Sequence, residues 1–261
     1  MPTKLLQLLL ILSLPMLSFS QKSDDLKTVN TISLQSPQLK TDRKIWIYLP
    51  KNYRTTSKKY PVIYLQDAQN LFDAKTSFSG EWKVDETLDS LNAEVIVVGI
   101  EHGNDKRLEE LTPYKNEKYG GGKADDYLDF IINTVKPYTE KNFRVKTSSK
   151  YTTIGGSSLG GLFSLYALQK YPGIFQKGIV FSPALWINPE MYPLMEKSSL
   201  KAKMYFLCGD KESGEMVSDM QKMIAILPKT AIVKSEIIKD GQHNEKLWRD
   251  AFAKAYLWLY N

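Results

Sequence analysis

The sequence Gly156-Ser157-Ser158-Leu159-Gly160 has the pattern G-x-S-x-G and joins two segments of different character. Residues 151–154 form a short run typical of a buried strand, and residues 159–171 carry apolar side chains at helical spacing. Ser158 is therefore predicted to lie on a sharp strand-to-helix turn, where glycines on both sides let the backbone pass closely. The alternative is a serine that only caps a helix after a glycine-rich turn.

The rest of the chain alternates strand-like and helix-like segments around this turn. Strands are predicted at 43–50, 62–65, 95–100, 178–181, 204–207 and 231–238, and helices at 124–135, 216–227 and 245–260. Such alternation indicates βαβ units, and hence an α/β fold with a mainly parallel central sheet and helices on both faces. We find no repeat or linker that would divide residues 43–261, which are predicted to form one domain.

A serine hydroxyl becomes a good nucleophile only when a base removes its proton, and histidine is the usual base near neutral pH. The chain has two histidines, His102 and His243. In a strand–serine–helix arrangement of this kind the order along the chain is serine, acid, histidine. His102 precedes Ser158, whereas His243 lies between the last predicted strand and the terminal helix. His243 is therefore the predicted base, with an unused surface histidine as the alternative.

The third catalytic group is expected to be a carboxylate that follows the strand at 204–207 and orients the imidazole. Asp210 and Glu212 both follow this strand, and Glu215 is a third choice. Because either acid type can serve, we prefer Glu212 and keep Asp210 as the alternative. The acid that is not used would be an ordinary solvated loop charge.

The developing oxyanion is expected to bind two backbone amides. One belongs to Leu159, which follows the serine at the start of a helix. The other is assigned to Gln69, in the loop after the strand at 62–65, where the small side chain of Ala68 permits a close backbone approach. An ordinary polar turn is the alternative for this loop.

Several segments resemble the esterase family of the α/β-hydrolases, which includes esterase D, the enterochelin (siderophore) esterases and many secreted hydrolases. They are Tyr64–Phe72, Arg107 with Glu110–Pro113, Gly155–Gly161, and Gly241–His243 with Trp248. The resemblance runs from about Arg43 to the C-terminus and implies the α/β-hydrolase fold and ester or thioester hydrolysis. The family acid commonly lies three residues after a strand-end glycine, which is Glu212 here. Ala68 departs from the family, which often has glycine at that position.

The predicted reaction is a two-step acyl transfer from a small-molecule or glycan ester through an acyl-enzyme on Ser158, without a metal or organic cofactor. Trp186 is a candidate wall of the acyl pocket, with plain packing as the alternative, and Ala68 is a further candidate pocket residue. Arg107 is a candidate for a substrate carboxylate, although an ion pair with a loop acid is preferred. Two other functions are alternatives: an acyltransferase that uses the same triad, and a non-catalytic binding protein on the same scaffold.

The N-terminus has the layout of a secretory signal peptide. Residues 1–4 carry one positive charge, residues 5–17 are apolar, and small residues precede Gln21. We therefore predict a signal peptide over residues 1–20, a lead-in over 21–42, and a periplasmic or extracellular protein, with a retained N-terminal anchor as the alternative. Once the signal is removed, no stable membrane insertion is expected.

The composition excludes other classes of site. The net charge is +6, but the lysines are dispersed, which does not predict a nucleic-acid-binding surface. The one cysteine, Cys208, rules out an internal disulfide and is expected to be buried in a strand. Two histidines and one cysteine are too few for a zinc site built from these residues. Oligomeric state is not indicated by the sequence.

Overall fold

The computed structural model describes residues 28–261, so the predicted signal peptide and residues 21–27 lie outside the described residues. An eight-stranded sheet has the order β1-β2-β4-β3-β7-β8-β9-β10, and β5 and β6 form a separate two-stranded hairpin. The strands are β1 Val29–Ser36, β2 Thr41–Tyr48, β3 Val62–Gln66, β4 Ile96–Ile100, β5 Lys115–Asn116, β6 Gly120–Gly121, β7 Thr152–Ser157, β8 Lys177–Phe181, β9 Lys203–Gly209 and β10 Ile232–Ile238.

The sheet is mainly parallel. β2 pairs antiparallel with β1 and β4, and all other neighbours run parallel. The helices are α1 Val84–Ser90, α2 Arg107–Leu111, α3 Ala124–Phe130, α4 Lys136–Asn142, α5 Leu159–Lys170, α6 Met191–Glu196, α7 Met216–Ile226 and α8 Glu245–Tyr260. The predicted α/β class with a mainly parallel sheet is confirmed. The lead-in adds β1 as an edge strand that we did not anticipate.

Helices cover both faces of the sheet because its central strands are apolar on both sides. All residues of β3, β4 and β7 are buried. One core cluster joins the sheet to α3, α5, α6 and α7, and a second joins the opposite face to α1 and α8. Continuous apolar strands of this kind are stable only between two helical layers, so the packing explains the two-sided architecture.

The helix predicted over residues 124–135 is longer and irregular. A π-helical segment, Ile131–Val135, connects α3 to α4 and makes one continuous helical element. Pro137 lies in the first turn of α4. Because proline has no backbone N–H, the regular hydrogen-bond ladder is interrupted there, and a local change of helical pitch accommodates it.

A buried ion pair fixes the segment after β4. Arg43 of β2 donates to both carboxylate oxygens of Glu110 on α2, at 2.6 and 3.1 Å, and both side chains are about 5% exposed. Glu110 also accepts the backbone N–H of Gly103 at 2.8 Å. A buried pair of this kind is favourable only when its remaining polar atoms are also bonded. Both terminal nitrogens of Arg43 are bonded, whereas its Nε has no hydrogen-bond partner within residues 28–261. The carboxylate thus holds α2 and the loop before it against the sheet.

In the segment from residue 28 to residue 261, none of the helices has the length and apolar character required to cross a bilayer.

Candidate active site

Ser158 lies where β7 ends and α5 begins, with φ 58° and ψ −120°. Its N–H donates to Phe181 O at 2.9 Å, and its carbonyl accepts the amides of Leu162 and Ala184, both at 3.1 Å. Backbone strain at a non-glycine residue of this kind costs about 1–3 kcal/mol and persists only where the surroundings impose it. The bonds to β8, to α5 and to the loop after β8 therefore hold the serine in the sharp turn that the sequence predicts.

The glycines of the motif make this turn possible. A Cβ on Gly156 would lie 3.0–3.1 Å from the backbone of Gly160, and one on Gly161 would lie 2.7 Å from Phe181 O. Both distances are shorter than ordinary carbon contacts. Hydrogen at these positions therefore lets the first turn of α5 pack directly on the ends of β7 and β8.

His243 and Glu212 meet beside Ser158. His243 Nδ1 is 2.6 Å from Glu212 Oε2, and the Glu212 side chain is 1% exposed against 36% for His243. The loops that carry them are brought together by glycines, since a Cβ on Gly209 would lie 2.2 Å from Gly241 O. Ser158, Glu212 and His243 line one common cavity, so the three predicted residues are grouped in space.

The two other acids after β9 lie apart from the imidazole. Asp210 Oδ1 accepts the backbone N–H of Asp240 at 2.7 Å, which fastens the loop after β9 to the loop after β10. Glu215 is exposed and precedes α7. Among the three acids considered from the sequence, Glu212 is therefore the one bonded to the histidine.

The segment proposed for the oxyanion hole is a 3₁₀ turn, Ala68–Asn70, entered through Asp67 in the left-handed conformation at φ 59°. The Gln69 side chain donates through Nε2 to His102 O at 3.1 Å. Ala68 is completely buried and its methyl group is 3.0 Å from where a Cβ on Gly99 would lie, so it fills space behind the turn. It lines neither of the two cavities that contain Ser158. Leu159 is the first residue of α5, and N–H groups at that position have no partner within the helix.

Arg107 is paired with Asp67 through two hydrogen bonds, Nε to Oδ1 and Nη2 to Oδ2, both 2.8 Å. Burial opposes ionisation of Asp67, but the charge and hydrogen bonds of Arg107 outweigh it and lower the pKa of the carboxyl. Arg107 also lines both cavities that adjoin Ser158. The geometry thus places it in an ion pair with a loop acid while leaving part of it in contact with the cavities.

Ser158 lies between two cavities of different character. The first, about 350 Å³, has walls of Leu108, Leu159, Ala184, Ile187 and Met216. At its edge Tyr119 and Trp186 are in edge-to-face contact, with ring centroids 5.4 Å apart, and about half of each side chain is exposed. Tyr119 belongs to the turn between β5 and β6 and was not predicted. Its aromatic character in a glycine-rich loop was the only local signal.

The second cavity, about 770 Å³, is the more polar of the two and is called the polar cavity below, although Phe78 and Trp248 also line it. Its lining includes Asn70, Thr76, Ser77, Ser79, His102, Asn104 and Glu245, together with Ser158 and His243. The His102 Nδ1 accepts the N–H of Asn104 at 2.9 Å, so its proton is on Nε2. Burial lowers the pKa of this histidine, which is therefore neutral near pH 7. The cavity thus offers both hydrogen-bond donors and acceptors to a ligand beside the serine.

Within the described part of the chain, one group of three acids has the spacing of metal ligands. Carboxylate oxygens of Glu81, Asp85 and Glu86 lie within 4.8 Å of one another. None of these residues lines the cavities beside Ser158. The group therefore has no contact with the candidate active site.

Comparisons with known proteins agree with this architecture. The model of the family described as "Putative esterase" matches residues 36–259. YbbA of Bacillus subtilis is 29% identical over 242 residues, which cover 84% of this chain and 93% of YbbA. The ferri-bacillibactin esterase BesA of the same organism is 31% identical over 146 residues, half of each chain. An IroE-like serine hydrolase from Shewanella oneidensis has the same fold, with a TM-score of 0.73, 22% identity, and coverage of 88% of this chain and 79% of that one.

Proposed function

Because this chain belongs to the Esterase family, we propose that it is a serine hydrolase that cleaves carboxylic esters. Ser158 is the nucleophile, His243 the base and Glu212 the acid. One observation carries the proposal: a serine held at φ 58° at the end of a central strand shares its cavity with a histidine whose Nδ1 is 2.6 Å from a buried carboxylate. Strained backbone at a cavity is characteristic of functional positions.

The Glu212 carboxylate sets the state of the imidazole. An ionised carboxylate only accepts hydrogen bonds, so the proton of a neutral His243 lies on Nδ1 and the lone pair lies on Nε2. This tautomer can accept the proton of Ser158 Oγ. The 1% exposure of Glu212 keeps water from competing for its oxygens, and the charge stabilises the imidazolium that forms during the reaction.

Acylation begins when Ser158 Oγ attacks the ester carbonyl and passes its proton to His243 Nε2. The carbonyl oxygen becomes an oxyanion and receives hydrogen bonds from the N–H groups of Leu159 and Gln69. The imidazolium then protonates the departing alcohol, which leaves Ser158 as an acyl ester. In comparable enzymes, removal of one oxyanion donor lowers kcat by about 10²–10³, so these amides are expected to carry a large share of the rate enhancement.

Deacylation repeats the sequence with water. His243 Nε2 takes a proton from water as the water oxygen attacks the acyl carbon, and the same amides bind the second oxyanion. The imidazolium returns the proton to Ser158 Oγ as the carboxylic acid departs. The enzyme is restored, and no redox change or external proton donor is needed.

The two cavities support a division of the substrate. The apolar cavity with its aromatic edge suits a compact apolar or aromatic acid, and the polar cavity suits an alcohol with several hydroxyl or amide groups. The similarity to BesA, a ferri-bacillibactin esterase, supports siderophore esters as one class of this kind. The donors and acceptors of the polar cavity equally support carbohydrate-linked esters.

The central test is hydrolysis of p-nitrophenyl acetate, butyrate and octanoate by the protein from Gln21 onward, beside its Ser158→Ala variant. We expect saturable hydrolysis that the alanine variant loses by at least about 10³-fold, with an unchanged thermal melting temperature. A fluorophosphonate probe should label the parent protein and not the variant. Equal hydrolysis by both proteins, or labelling that survives in the variant, would disprove the assignment of Ser158.

Hydrolysis is distinguished from acyl transfer by the products. With an alcohol acceptor present, a hydrolase releases free acid, and an acyltransferase forms a new ester.

We propose that the protein acts outside the cytoplasm, after cleavage of the signal peptide predicted from residues 1–20. N-terminal sequencing of the exported protein tests this, with Gln21 as the expected first residue and an uncleaved Met1 as the contrary result.

A further inference from the structure

The carboxylate of Glu212 receives three hydrogen bonds. Oε2 lies 2.6 Å from His243 Nδ1, and Oε1 accepts the hydroxyl of Ser182 at 2.7 Å and the N–H of Gly209 at 2.5 Å. Across residues 28–261, no lysine or arginine nitrogen lies within 4.0 Å of this carboxylate. Burial of a carboxylate that is 1% exposed is costly unless hydrogen-bond donors replace water around its oxygens. Gly209 N–H and Ser182 Oγ–H are the two donors that do not belong to the histidine.

Ser182 is held firmly in this position. It follows the last residue of β8, is fully buried, and has φ 43°. Its N–H donates to Leu207 O of β9 at 2.6 Å. A serine in the left-handed region, fixed to the neighbouring strand, presents its hydroxyl in one direction. This direction is toward Glu212, although Ser182 itself lines neither cavity beside Ser158.

Trp248 determines which way the hydroxyl proton points. Its indole Nε1 donates to Ser182 Oγ at 2.9 Å. Because an indole nitrogen only donates and an ionised carboxylate only accepts, the Ser182 proton must be directed to Glu212. The three groups form a chain in which each donor points toward the carboxylate. Chains of this kind strengthen their individual bonds by polarisation.

Trp248 also touches the base directly. Its ring meets that of His243 edge to face, with centroids 5.0 Å apart and an interplanar angle of 88°. On its other side it packs against Trp82, with centroids 6.0 Å apart. Trp248 is 5% exposed and lies on α8, the helix that follows His243. The indole therefore limits movement of the imidazole while its N–H acts on the acid.

We propose that Ser182 and Trp248 are positioning residues for the Glu212–His243 pair. This inference rests on the proposed function. The Ser182 hydroxyl orients the carboxylate and stabilises its charge, and the Trp248 N–H fixes the hydroxyl. Ser182 acts on the reaction only through Glu212 and His243, whereas the ring of Trp248 also lines the second cavity. Partners that orient a functional side chain from outside the site commonly change activity by about 10–100-fold when removed, as measured around metal ligands.

The test uses kinetics of Ser182→Ala and Trp248→Phe with p-nitrophenyl butyrate. We expect kcat to fall by about 10–100-fold in Ser182→Ala and by roughly threefold to tenfold in Trp248→Phe, while KM stays within twofold. Trp248→Phe keeps an aromatic ring beside His243 but removes the N–H together with the pyrrole part of the indole, so its melting temperature is measured beside its kcat. Ser36→Ala is the matched control, since Ser36 is also fully buried and its hydroxyl accepts one hydrogen bond, from Leu39 N at 3.0 Å.

A double-mutant cycle with Glu212→Gln separates positioning from a general structural effect. If Ser182 acts through the carboxylate, Ser182→Ala should lower kcat by less than twofold in the Glu212→Gln protein. Two results would overturn the inference. In one, Ser182→Ala lowers kcat as much in the Glu212→Gln protein as in the parent protein. In the other, Glu212→Gln is impaired while Ser182→Ala alone has the kcat of the parent. Should Ser182→Ala not fold, the same cycle with Trp248→Phe decides.

Failure of the proposed function gives a different pattern. If Ser158→Ala retains the hydrolysis of the parent protein, the triad itself is wrong, whatever Ser182 does. If Ser158→Ala and Glu212→Gln are impaired while Ser182→Ala and Trp248→Phe match the parent in kcat, the triad stands and only the positioning network is refuted.

Discussion

Replacement of the two acids after β9 by their amides should have very different effects. Glu212→Gln removes the charge 2.6 Å from His243 Nδ1 at a site where the carboxylate is 1% exposed. A hydrogen bond to a charged group contributes about 1.5–3 kcal/mol, which is roughly 10–100-fold in rate. The amide can also present its NH₂ to Nδ1 and favour the wrong tautomer, and an isosteric change of this type in a Ser-His-Asp enzyme costs about 10⁴ in kcat. We therefore expect a loss of about 10²–10⁴.

Asp210→Asn should be nearly silent. The side-chain carbonyl of asparagine can still accept the Asp240 N–H that Asp210 Oδ1 accepts at 2.7 Å, and Asp210 is exposed. We expect kcat within twofold of the parent protein. The assay is initial-rate hydrolysis of p-nitrophenyl butyrate for both variants, with melting temperatures measured in parallel. An Asp210→Asn loss equal to or greater than that of Glu212→Gln would refute the assignment, and small equal losses would direct attention to Glu215.

Three further outcomes are expected. Arg107→Gln removes the hydrogen-bond donors of the buried Asp67 carboxylate, so urea unfolding should show a loss of roughly 1–3 kcal/mol, with Asp67→Asn in the same chain restoring most of it; no recovery would refute the pairing argument. Trp186→Ala should raise KM about 2–10-fold for p-nitrophenyl benzoate and not for the acetate, since aromatic contacts contribute about 0.5–1.5 kcal/mol, and equal effects on both esters would contradict an aromatic contact. Burial is the main cause that raises the pKa of Asp85 to about 7, and the hydrogen bond and charge of the neighbouring Glu86 add to it. Protonation of Asp85 therefore stabilises the fold, and this stabilisation is lost as pH rises from about 4 through 7. Asp85→Asn should accordingly raise the melting temperature at pH 8 and leave it unchanged at pH 3.5, and a gain at both values would contradict this origin.

The predictions from sequence succeed where the determining interactions are local. The position of Ser158 follows from a strand, a glycine-flanked serine and a helix within about twenty residues. These local features are enough to predict the turn, although bonds to β8 and to the loop after it hold the strained backbone. The proximity of Glu212 and His243 follows from the order of parallel strands, because the C-terminal ends of β9 and β10 lie side by side. The roles assigned to these residues stay predictions until the variants are measured.

Interactions between distant segments could not be predicted. Ser182 and Trp248 are 66 residues apart and meet only after α8 packs against β8. Contact between Tyr119 and Trp186 likewise requires the β5–β6 hairpin to fold over the loop after β8. Strand β1 did carry a local signal, since Ile32 and Leu34 alternate with polar residues. It was missed because a short amphipathic strand in a polar lead-in resembles an extended linker.

Four of the eight non-glycine residues with positive φ between residues 28 and 261 follow the C-terminal ends of parallel strands, where the candidate site lies. Asp67 follows β3, Ser158 follows β7, Ser182 follows β8, and Asp240 follows β10, each with a positive φ between 43° and 59°. Three of them form hydrogen bonds there: Asp67 with Arg107, Ser182 with Glu212, and Asp240 with Asp210. The fourth, Ser158, lines the cavity. At about 1–3 kcal/mol per strained residue, this conformation would be costly in an isolated loop. It is tolerable here because β3, β7 and β8 are buried almost completely and cannot shift to relieve it. The rigid apolar sheet therefore does more than support the loops. It maintains the unfavourable backbone angles that place Ser158 at the cavity lined by His243 and Ser182 beside Glu212.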